Sequence, residues 1–189
     1  MSENELVEGI FKKQQAAFKE LVQLYQKQVI STCYGFIGNS NDAQDIAQDV
    51  FIEVFESIGK FRREAKLSTW IYRIAVNKSI NFKRQIARKQ WIKNIESFFG
   101  KETNEMLAIK ANKSDEPNDA LEEDERKMIL HQALNKLPEN QKIAFTLNKF
   151  DDLSYQEIAD VMNTTLSSVE SLIHRAKMNL QKYLINYYN

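Results

Sequence analysis

The chain has 189 residues, of which 43% are hydrophobic and 28% are charged, and its formal net charge is zero. This length allows one large domain or two small ones, and the neutrality argues against a uniformly basic protein that coats DNA. Cys33 is the only cysteine, so an intramolecular disulfide is excluded and a reducing compartment is expected. The acidic N-terminus lacks the apolar core of a signal peptide, and no apolar run reaches the length of a membrane span. We therefore expect a cytoplasmic protein without membrane insertion.

The charges are distributed in blocks. Between Lys60 and Lys93 there are eleven Lys or Arg residues and one acid, whereas between Glu96 and Glu125 there are ten acids and three lysines. Such blocks indicate that separate segments have separate partners.

Five glycines, two prolines and a mostly 3.6-residue periodicity predict an all-α protein. A first helix is predicted over about Gln15–Ile37, a second over about Asp42–Ile58 and a third from about Ser68 to beyond Arg84. Cys33 and the other apolar residues of the first helix lie on one face and are assigned to the core.

The segment 96–117 is polar and only weakly periodic, and we interpret it as a flexible acidic linker. Helical patterning returns at Asp119, and Pro138 suits the first position of a further helix. The fold predicted is two small helical domains, residues 1–95 and 118–189, joined by this linker.

A helix-turn-helix is predicted near the C-terminus. Ser154 with Glu157 forms one capping-box pattern, and Ser167 with Glu170 forms a second. Asn163 lies between them, where a turn requires a residue that tolerates a left-handed backbone. The second helix of such a motif can enter a DNA major groove.

The second predicted helix carries an acidic stripe and no Lys or Arg. Its members at helical spacing are Asp42, Asp45, Asp49 and Glu53, followed by Glu56. A solvated helix face is one interpretation. An ordinary solvated helix would intersperse bases to gain i,i+4 pairs, however, so a basic partner surface is the alternative.

The third helix and the loop before it combine basic, amide and aromatic residues. Arg or Lys can neutralise phosphates, Asn can contact base edges, and aromatic rings can stack on unpaired bases. Each aromatic residue taken alone is more often a core residue. The candidates for contact with DNA are Lys60, Arg62, Arg63, Lys66, Trp70, Arg73, Asn77, Asn81 and Arg84, with Phe61 and Tyr72 as further aromatic candidates.

These segments together resemble bacterial extracytoplasmic-function sigma factors. The blocks that match, in order and spacing, are Asp42–Phe51, Phe61-Arg62, Ser68–Asn77, Leu137–Gln141 and Leu153–Ala159. The resemblance extends over about residues 12 to 184, apart from the linker.

The resemblance implies that sigma domain two binds the β′ clamp helices of core RNA polymerase and opens and reads the minus-ten promoter element. Sigma domain four would read the minus-thirty-five element as a duplex and contact the β flap. Family members usually also have an anti-sigma partner.

Carried over to this sequence, the acidic stripe Asp42, Asp45, Asp49 and Glu53 corresponds to the polymerase-facing surface. The loop from Lys60 to Leu67 corresponds to the one that captures an extruded base, and Asn77, Asn81 and Arg84 correspond to the helix facing the minus-ten element. The residues that correspond to the recognition helix are Ser168, Ser171, His174, Arg175 and Lys177.

The sequence departs from the family pattern in the recognition helix. Glu170 stands where family members often have Lys, and Leu172 where they often have Arg. A less basic helix leaves more of the upstream recognition to DNA shape.

An enzyme is not expected, since His131 and His174 are the only histidines and no metal, nucleophile or glycine-rich phosphate-loop pattern is present. No cofactor is predicted, and His131 is expected at the surface. The main alternative is a conventional helix-turn-helix transcription regulator, which would leave the acidic stripe unexplained. A sigma-like mimic that sequesters a regulator is a third reading.

Overall fold

The regular structure of the chain is helical throughout residues 1–99 and 119–188, which are the residues that the computed structural model describes. In chain order the helices are α1 Glu3–Phe11, α2 Gln15–Ile37, α3 Ser40–Ser57, α4 Leu67–Phe99, α5 Asp119–Asn135, α6 Glu139–Lys149, α7 Tyr155–Met162 and α8 Leu166–Tyr188, with a 3₁₀ turn at Ile58–Lys60. The all-α prediction is confirmed.

The boundary between α2 and α3 follows from two residues. Gly38 ends α2 in the left-handed conformation, with φ 78°. Asn39 then caps α3, because its side-chain oxygen accepts hydrogen bonds from the backbone N–H of Asn41 at 2.9 Å and of Asp42 at 3.1 Å. Both ends of α2 were predicted correctly, whereas α3 begins two residues before the predicted start because Asn39 takes the capping role.

Helices α1 to α4 surround one hydrophobic core. Cys33 is fully buried in it, as predicted, together with Leu21, Val50 and Leu67. Helix α1 is not among the helices predicted from the sequence, although Ser2 and Glu5 form a capping box at its start. This helix buries Leu6, Val7 and Ile10 against the other three.

The two predicted domains pack against each other. A second cluster of buried residues joins Phe36 of α2 and Val76 of α4 to Leu147 of α6 and Ile158 of α7. We call this cluster the interdomain core. A third, smaller cluster of buried residues lies within the C-terminal half, where Leu134 and its neighbours pack against α8.

Polar groups also cross this contact. Lys142 is 5% exposed, and its Nζ donates hydrogen bonds to the backbone oxygen of Phe36 and to Oδ1 of Asn135, each at 2.8 Å. Burial, reinforced by nearby Lys83, lowers the pKa of Lys142 to about 6. The neutral amine of Lys142 has two N–H donors, and the backbone oxygen of Phe36 and Oδ1 of Asn135 provide one acceptor for each.

Close packing of α6 side chains against the backbone of α2 accompanies these bonds. A Cβ atom placed on Gly35 would lie 2.4 Å from Cγ2 of Thr146, so no larger residue fits at position 35 without movement. The prediction that His131 lies at the surface is wrong, because its ring packs edge-on against Tyr34 at 5.0 Å and its Nδ1 is buried. The cause is the interdomain contact, which covers the end of α5.

The predicted linker lies for the most part outside the described residues. Helix α4 extends through Phe99, past the predicted domain limit at residue 95, and α5 begins at Asp119. The acidic linker and the domain limits stay predictions. None of the helices in the described ranges is both long enough and apolar enough to cross a lipid bilayer.

Candidate DNA and partner interfaces

The acidic stripe forms one face of α3. Asp45 and Asp49 are exposed, while Asp42 and Glu53 are half-buried at its edges. We call these four residues the acidic face. The opposite side of α3 is anchored in the core by residues such as Val50 and Val54, both fully buried, so the acids are presented on a fixed helix.

One cation from a neighbouring helix reaches the acidic face. Nζ of Lys78 lies 2.9 Å from Oε2 of Glu53. The same two residues line a groove between α3 and α4 together with Asp49, Asn77 and Asn81. Polymerase-contacting and DNA-contacting candidates therefore share the two walls of one groove.

The loop that precedes α4 presents its four bases to solvent. Lys60, Arg62, Arg63 and Lys66 are all exposed. Arg63 adopts a left-handed backbone with φ 59°, and the weak ion pairs Arg63–Glu8 at 3.9 Å and Lys66–Glu157 at 3.6 Å leave these cations accessible.

The aromatic candidates differ in their accessibility. The rings of Phe61 and Trp70 are half-buried and pack together with centroids 5.4 Å apart. Tyr72 is 7% exposed and belongs to the interdomain core, so its prediction as a base-stacking residue is wrong for this arrangement of the domains. Burial also raises its pKa to about 12.

Two arginines of α4, Arg73 and Arg84, are bound by the C-terminal half of the chain, whereas Lys78 pairs with the acidic face. Nε of Arg73 donates to the backbone oxygens of Asp160 and Val161, each at 3.2 Å. Nη2 of Arg84 donates to both carboxylate oxygens of Glu139, at 2.9 and 3.1 Å. The two arginines were predicted from the sequence, whereas these partners were not.

The amides of α4 have more room. Asn77 and Asn81 are exposed, and Asn77 lines a cleft of about 480 Å³ that also includes Arg73, Glu139 and Asn163. This cleft lies between α4 on one side and α6 and α7 on the other.

Helices α7 and α8 form the predicted helix-turn-helix. Ser154 and Glu157 make the expected capping box, and hydrogen bonds from Ser154 lower the pKa of Glu157. Asn163 ends α7 in the left-handed conformation, with φ 51° and ψ 52°. Both expectations about this turn are confirmed.

The prediction of a second capping box, formed by Ser167 and Glu170, is wrong. Helix α8 begins at Leu166, one residue before Ser167, and Oγ1 of Thr165 accepts a hydrogen bond from the backbone N–H of Ser168 at 3.2 Å. Thr165 is therefore the cap. Glu170 is exposed and has no capping role at the position predicted for it.

The candidate recognition face of α8 is open to solvent. Ser171, His174, Arg175 and Lys177 are exposed and Ser168 is half-buried. The opposite side of the helix carries Val169 and Ile173, which are buried against α6 and α7 with Leu172 packed beside them, as expected. Within the described residues, no group of three His, Cys, Asp or Glu side chains could hold a metal ion.

Both halves of the chain match known families. Sigma-70 region 2 matches residues 21–89, and Sigma-70 region 4 matches residues 127–180. The chain is 32% identical over 182 residues to the RNA polymerase sigma-H factor of Pseudomonas aeruginosa, covering 96% of this chain and 93% of that protein. It is 31% identical over 179 residues to the ECF RNA polymerase sigma factor SigW of Bacillus subtilis, covering 94% of each.

A solved structure shows the same fold. CnrH, in its complex with the cytosolic domain of CnrY, is similar with a TM-score of 0.70 over 98% of this chain and 99% of that chain, at 20% sequence identity. The agreement covers both halves of the molecule.

Proposed function

The chain belongs to the extracytoplasmic-function (ECF) family of RNA polymerase sigma factors, and we propose that it binds core RNA polymerase, directs it to specific promoters and promotes opening of their DNA. The observation that carries this proposal is the separation of charge. The acidic face lies on α3, whereas the candidate DNA contacts lie on α4, on the loop before it and on α8. An exposed acidic helix would repel DNA, so a basic protein partner explains it better than contact with DNA does.

The acidic face is assigned to the β′ clamp helices. Asp45 and Asp49 are exposed, and no base occurs on α3 to pair with them. Charges on a rigid helix steer association and penalise partners of like charge. Polymerase then supplies much of the non-specific affinity for DNA, which explains how the sigma factor can be neutral overall.

The loop from Lys60 to Lys66 and the face of α4 are assigned to the minus-ten element. Unstacking a base costs a few kcal/mol, and exposed cations beside the half-buried pair of Phe61 and Trp70 can recover part of that cost by binding the displaced strand. Asn77 and Asn81 are exposed amides that can contact base edges.

Helix α8 is assigned to duplex DNA at the minus-thirty-five element, and the C-terminal domain to the β flap. His174 and Arg175 lie on the open face of α8, in the geometry with which a recognition helix enters the major groove. When two domains that each bind DNA weakly are part of one chain, binding of one raises the effective concentration of the other at the promoter. The pair can therefore be selective for promoters although neither domain binds tightly.

We assign a further partner, an anti-sigma factor, by analogy. The sigma factor RpoE of Bartonella quintana, which is similar with a TM-score of 0.58 over 88% of this chain, was solved in complex with the anti-sigma factor NepR. The same proposal places the protein in the cytoplasm, where core polymerase is found.

Run-off transcription from genomic promoter fragments, with and without core polymerase, tests the proposal. Asp49→Lys should weaken binding to core polymerase at least tenfold, about the cost of one like-charge contact. Asn77→Ala should leave that affinity unchanged and reduce promoter opening, measured by permanganate reactivity of unpaired thymines.

The matched control is Glu8→Lys, which makes the same charge change at an exposed site on α1. Unchanged polymerase affinity for Asp49→Lys would refute the acidic-face assignment. DNA binding without initiation would favour the alternative of a conventional helix-turn-helix regulator, and the absence of both would favour a sigma-like mimic.

A further inference from the structure

We propose that α1 holds both ends of the loop from Lys60 to Lys66, so that this loop is already ordered when it meets the displaced DNA strand. The inference rests on the proposed function of the loop and assigns a positioning role to Glu3 and Phe11, which are not among the candidate DNA contacts. We call these two residues the brace. Helix α1 lies before residue 21, where the match to Sigma-70 region 2 begins.

Helix α4 begins without an effective cap of its own. The residue before its first turn is Lys66, whose side chain has no acceptor for the free N–H groups of that turn. The positive charge of Lys66 is also unfavourable beside the positive end of a helix. Such a helix start is expected to fray into the preceding loop unless another segment supplies an acceptor.

Glu3 of α1 supplies this acceptor, although it lies 64 residues away in the sequence. Its Oε1 accepts a hydrogen bond from the backbone N–H of Leu67 at 3.3 Å, and Leu67 is the fully buried first residue of α4. A carboxylate at a helix N-terminus interacts favourably with both the N–H group and the helix dipole. Glu3 therefore fixes the point at which the loop ends and α4 begins.

Phe11 contacts the other end of the loop. Its ring lies over Gly59, the residue before Lys60, since a Cβ atom placed on Gly59 would lie 3.3 Å from Cε2 of Phe11. The side chain of Phe11 is 66% exposed, so it packs against the turn that starts the loop rather than in the hydrophobic core. The two residues of the brace thus contact the loop at its start and at its end.

Helix α1 is a fixed support for these contacts. Its first turn is closed by the Ser2–Glu5 capping box, and three of its apolar residues are buried in the core that α1 to α4 share. A third contact with the loop is weaker, because Glu8 lies 3.9 Å from Arg63 and both side chains are at least half exposed. Glu8 is therefore not part of the brace.

Order in the loop matters because the loop has to bind a strand that the duplex releases at a cost. A loop that is ordered beforehand loses less conformational entropy when it binds. Arg63 already holds a left-handed backbone, with φ 59°, a conformation that a non-glycine residue rarely keeps in a loop with free ends. The brace therefore strengthens binding of the displaced strand although neither of its residues contacts DNA.

Glu3→Ala tests this inference, with Glu3→Gln and Glu8→Ala as matched variants. Glu3→Ala removes the acceptor at Leu67 but leaves the capping box of α1 intact, and alanine favours a helix. Glu3→Gln keeps an acceptor oxygen at the same place. Glu8→Ala makes the same substitution on the same helix, at a side chain that bonds only weakly to the loop.

Two readouts are needed. Hydrogen exchange of the backbone amides of residues 62–67 in the full chain reports order in the loop. Permanganate reactivity of unpaired thymines, in the complex of each variant with core polymerase on a promoter that supports run-off transcription, reports promoter opening. Glu3→Ala should speed exchange and reduce opening, each about fivefold, the factor that corresponds to the loss of one ordinary hydrogen bond. Phe11→Ala should act in the same direction, Glu3→Gln should restore most of both signals, and Glu8→Ala should match the wild type.

Affinity for core polymerase separates positioning from damage to the fold. It should be unchanged in Glu3→Ala, because the acidic face lies on α3. Equal losses of core affinity and opening would overturn the positioning role, and so would an equally large effect of Glu8→Ala. Exchange or opening at the wild-type level in Glu3→Ala or in Phe11→Ala would overturn the brace at that end of the loop.

Run-off transcription by the wild type with core polymerase keeps the two proposals apart. Initiation by the wild type together with normal opening by Glu3→Ala would overturn the brace and leave the sigma function intact. Failure of the wild type to initiate would count against the sigma function, and the role of the brace in promoter opening would fall with it.

Discussion

Replacement of Asp151 by asparagine should stabilise the protein, and the gain should be larger at alkaline than at acidic pH. Both carboxyl oxygens of Asp151 are buried without a hydrogen-bond partner among the described residues. The nearest hydroxyls are engaged elsewhere, since Ser31 donates to the backbone oxygen of Phe150 and Thr32 to that of Gln28, each at 3.0 Å. An ionised carboxylate is therefore poorly solvated at this site.

The magnitude follows from the pKa. Burial raises the pKa of Asp151 from 3.8 to about 7, and the nearby charge of Asp152 adds to the rise. The unfolded chain loses its proton near pH 3.8 while the folded protein keeps it, so the stability is full below that pH and is lost as the pH rises to 7. At about 1.4 kcal/mol per pKa unit, the loss is about 2 kcal/mol at about pH 5.5 and about 4 kcal/mol at about pH 8.5. Asparagine does not titrate, so its advantage should grow by about 2 kcal/mol between these conditions.

Urea denaturation followed by circular dichroism measures this difference. Asp45→Asn is the matched control, because it removes an exposed acid from α3 and should keep the pH dependence of the wild type. A gain for Asp151→Asn that is the same at both pH values would refute the reasoning, since the buried carboxyl would then not be the titrating group.

Three further results are expected. Lys142→Met should remove the part of the stability that rises with pH by about 1.4 kcal/mol per unit between pH 7 and 9, because the lysine pKa is about 6 in the folded protein and 10.5 otherwise. Urea denaturation at the two pH values measures this slope, and a slope equal to that of the wild type would contradict it. Thr165→Ala should lower the free energy of unfolding by about 1 kcal/mol and Ser167→Ala by nearly nothing, because Thr165 is the N-cap of α8. A larger loss for Ser167→Ala would mean that Ser167 is the cap, as the sequence predicted. Asn163→Ala should cost about 1 kcal/mol because of its left-handed backbone, whereas Asn163→Gly should be tolerated; thermal denaturation distinguishes the two, and equal losses would mean that the backbone conformation is not the cause.

Local signals predicted most of the secondary structure. The start and end of α2, the Ser154 capping box and the left-handed Asn163 all depend on residues adjacent in sequence. The acidic face of α3 and the open face of α8 follow in the same way from helical periodicity. The start of α8 was misplaced because Thr165 and Ser167 are both good caps, and the turn after Asn163 selects between them.

The contact between the domains could not be predicted from these patterns. Phe36 and Val76 lie on apolar positions, and periodicity does not say whether such a residue faces its own domain or another one. A lysine such as Lys142 is expected at the surface unless its acceptor, the backbone oxygen of Phe36 at the end of α2, is known. One signal was available: an isolated glycine within a helical pattern, such as Gly35, often has a packing reason, and here it is the close approach of the Thr146 side chain.

Gly35 also has a consequence for protein engineering. A designer who optimised the N-terminal domain as an isolated helical unit would replace this glycine first, because alanine at the same helix position is worth up to about 1 kcal/mol. The product would be a more stable domain with a methyl group 2.4 Å from where Thr146 has to lie. At this position, the sequence that is best for one half of the molecule is incompatible with the whole.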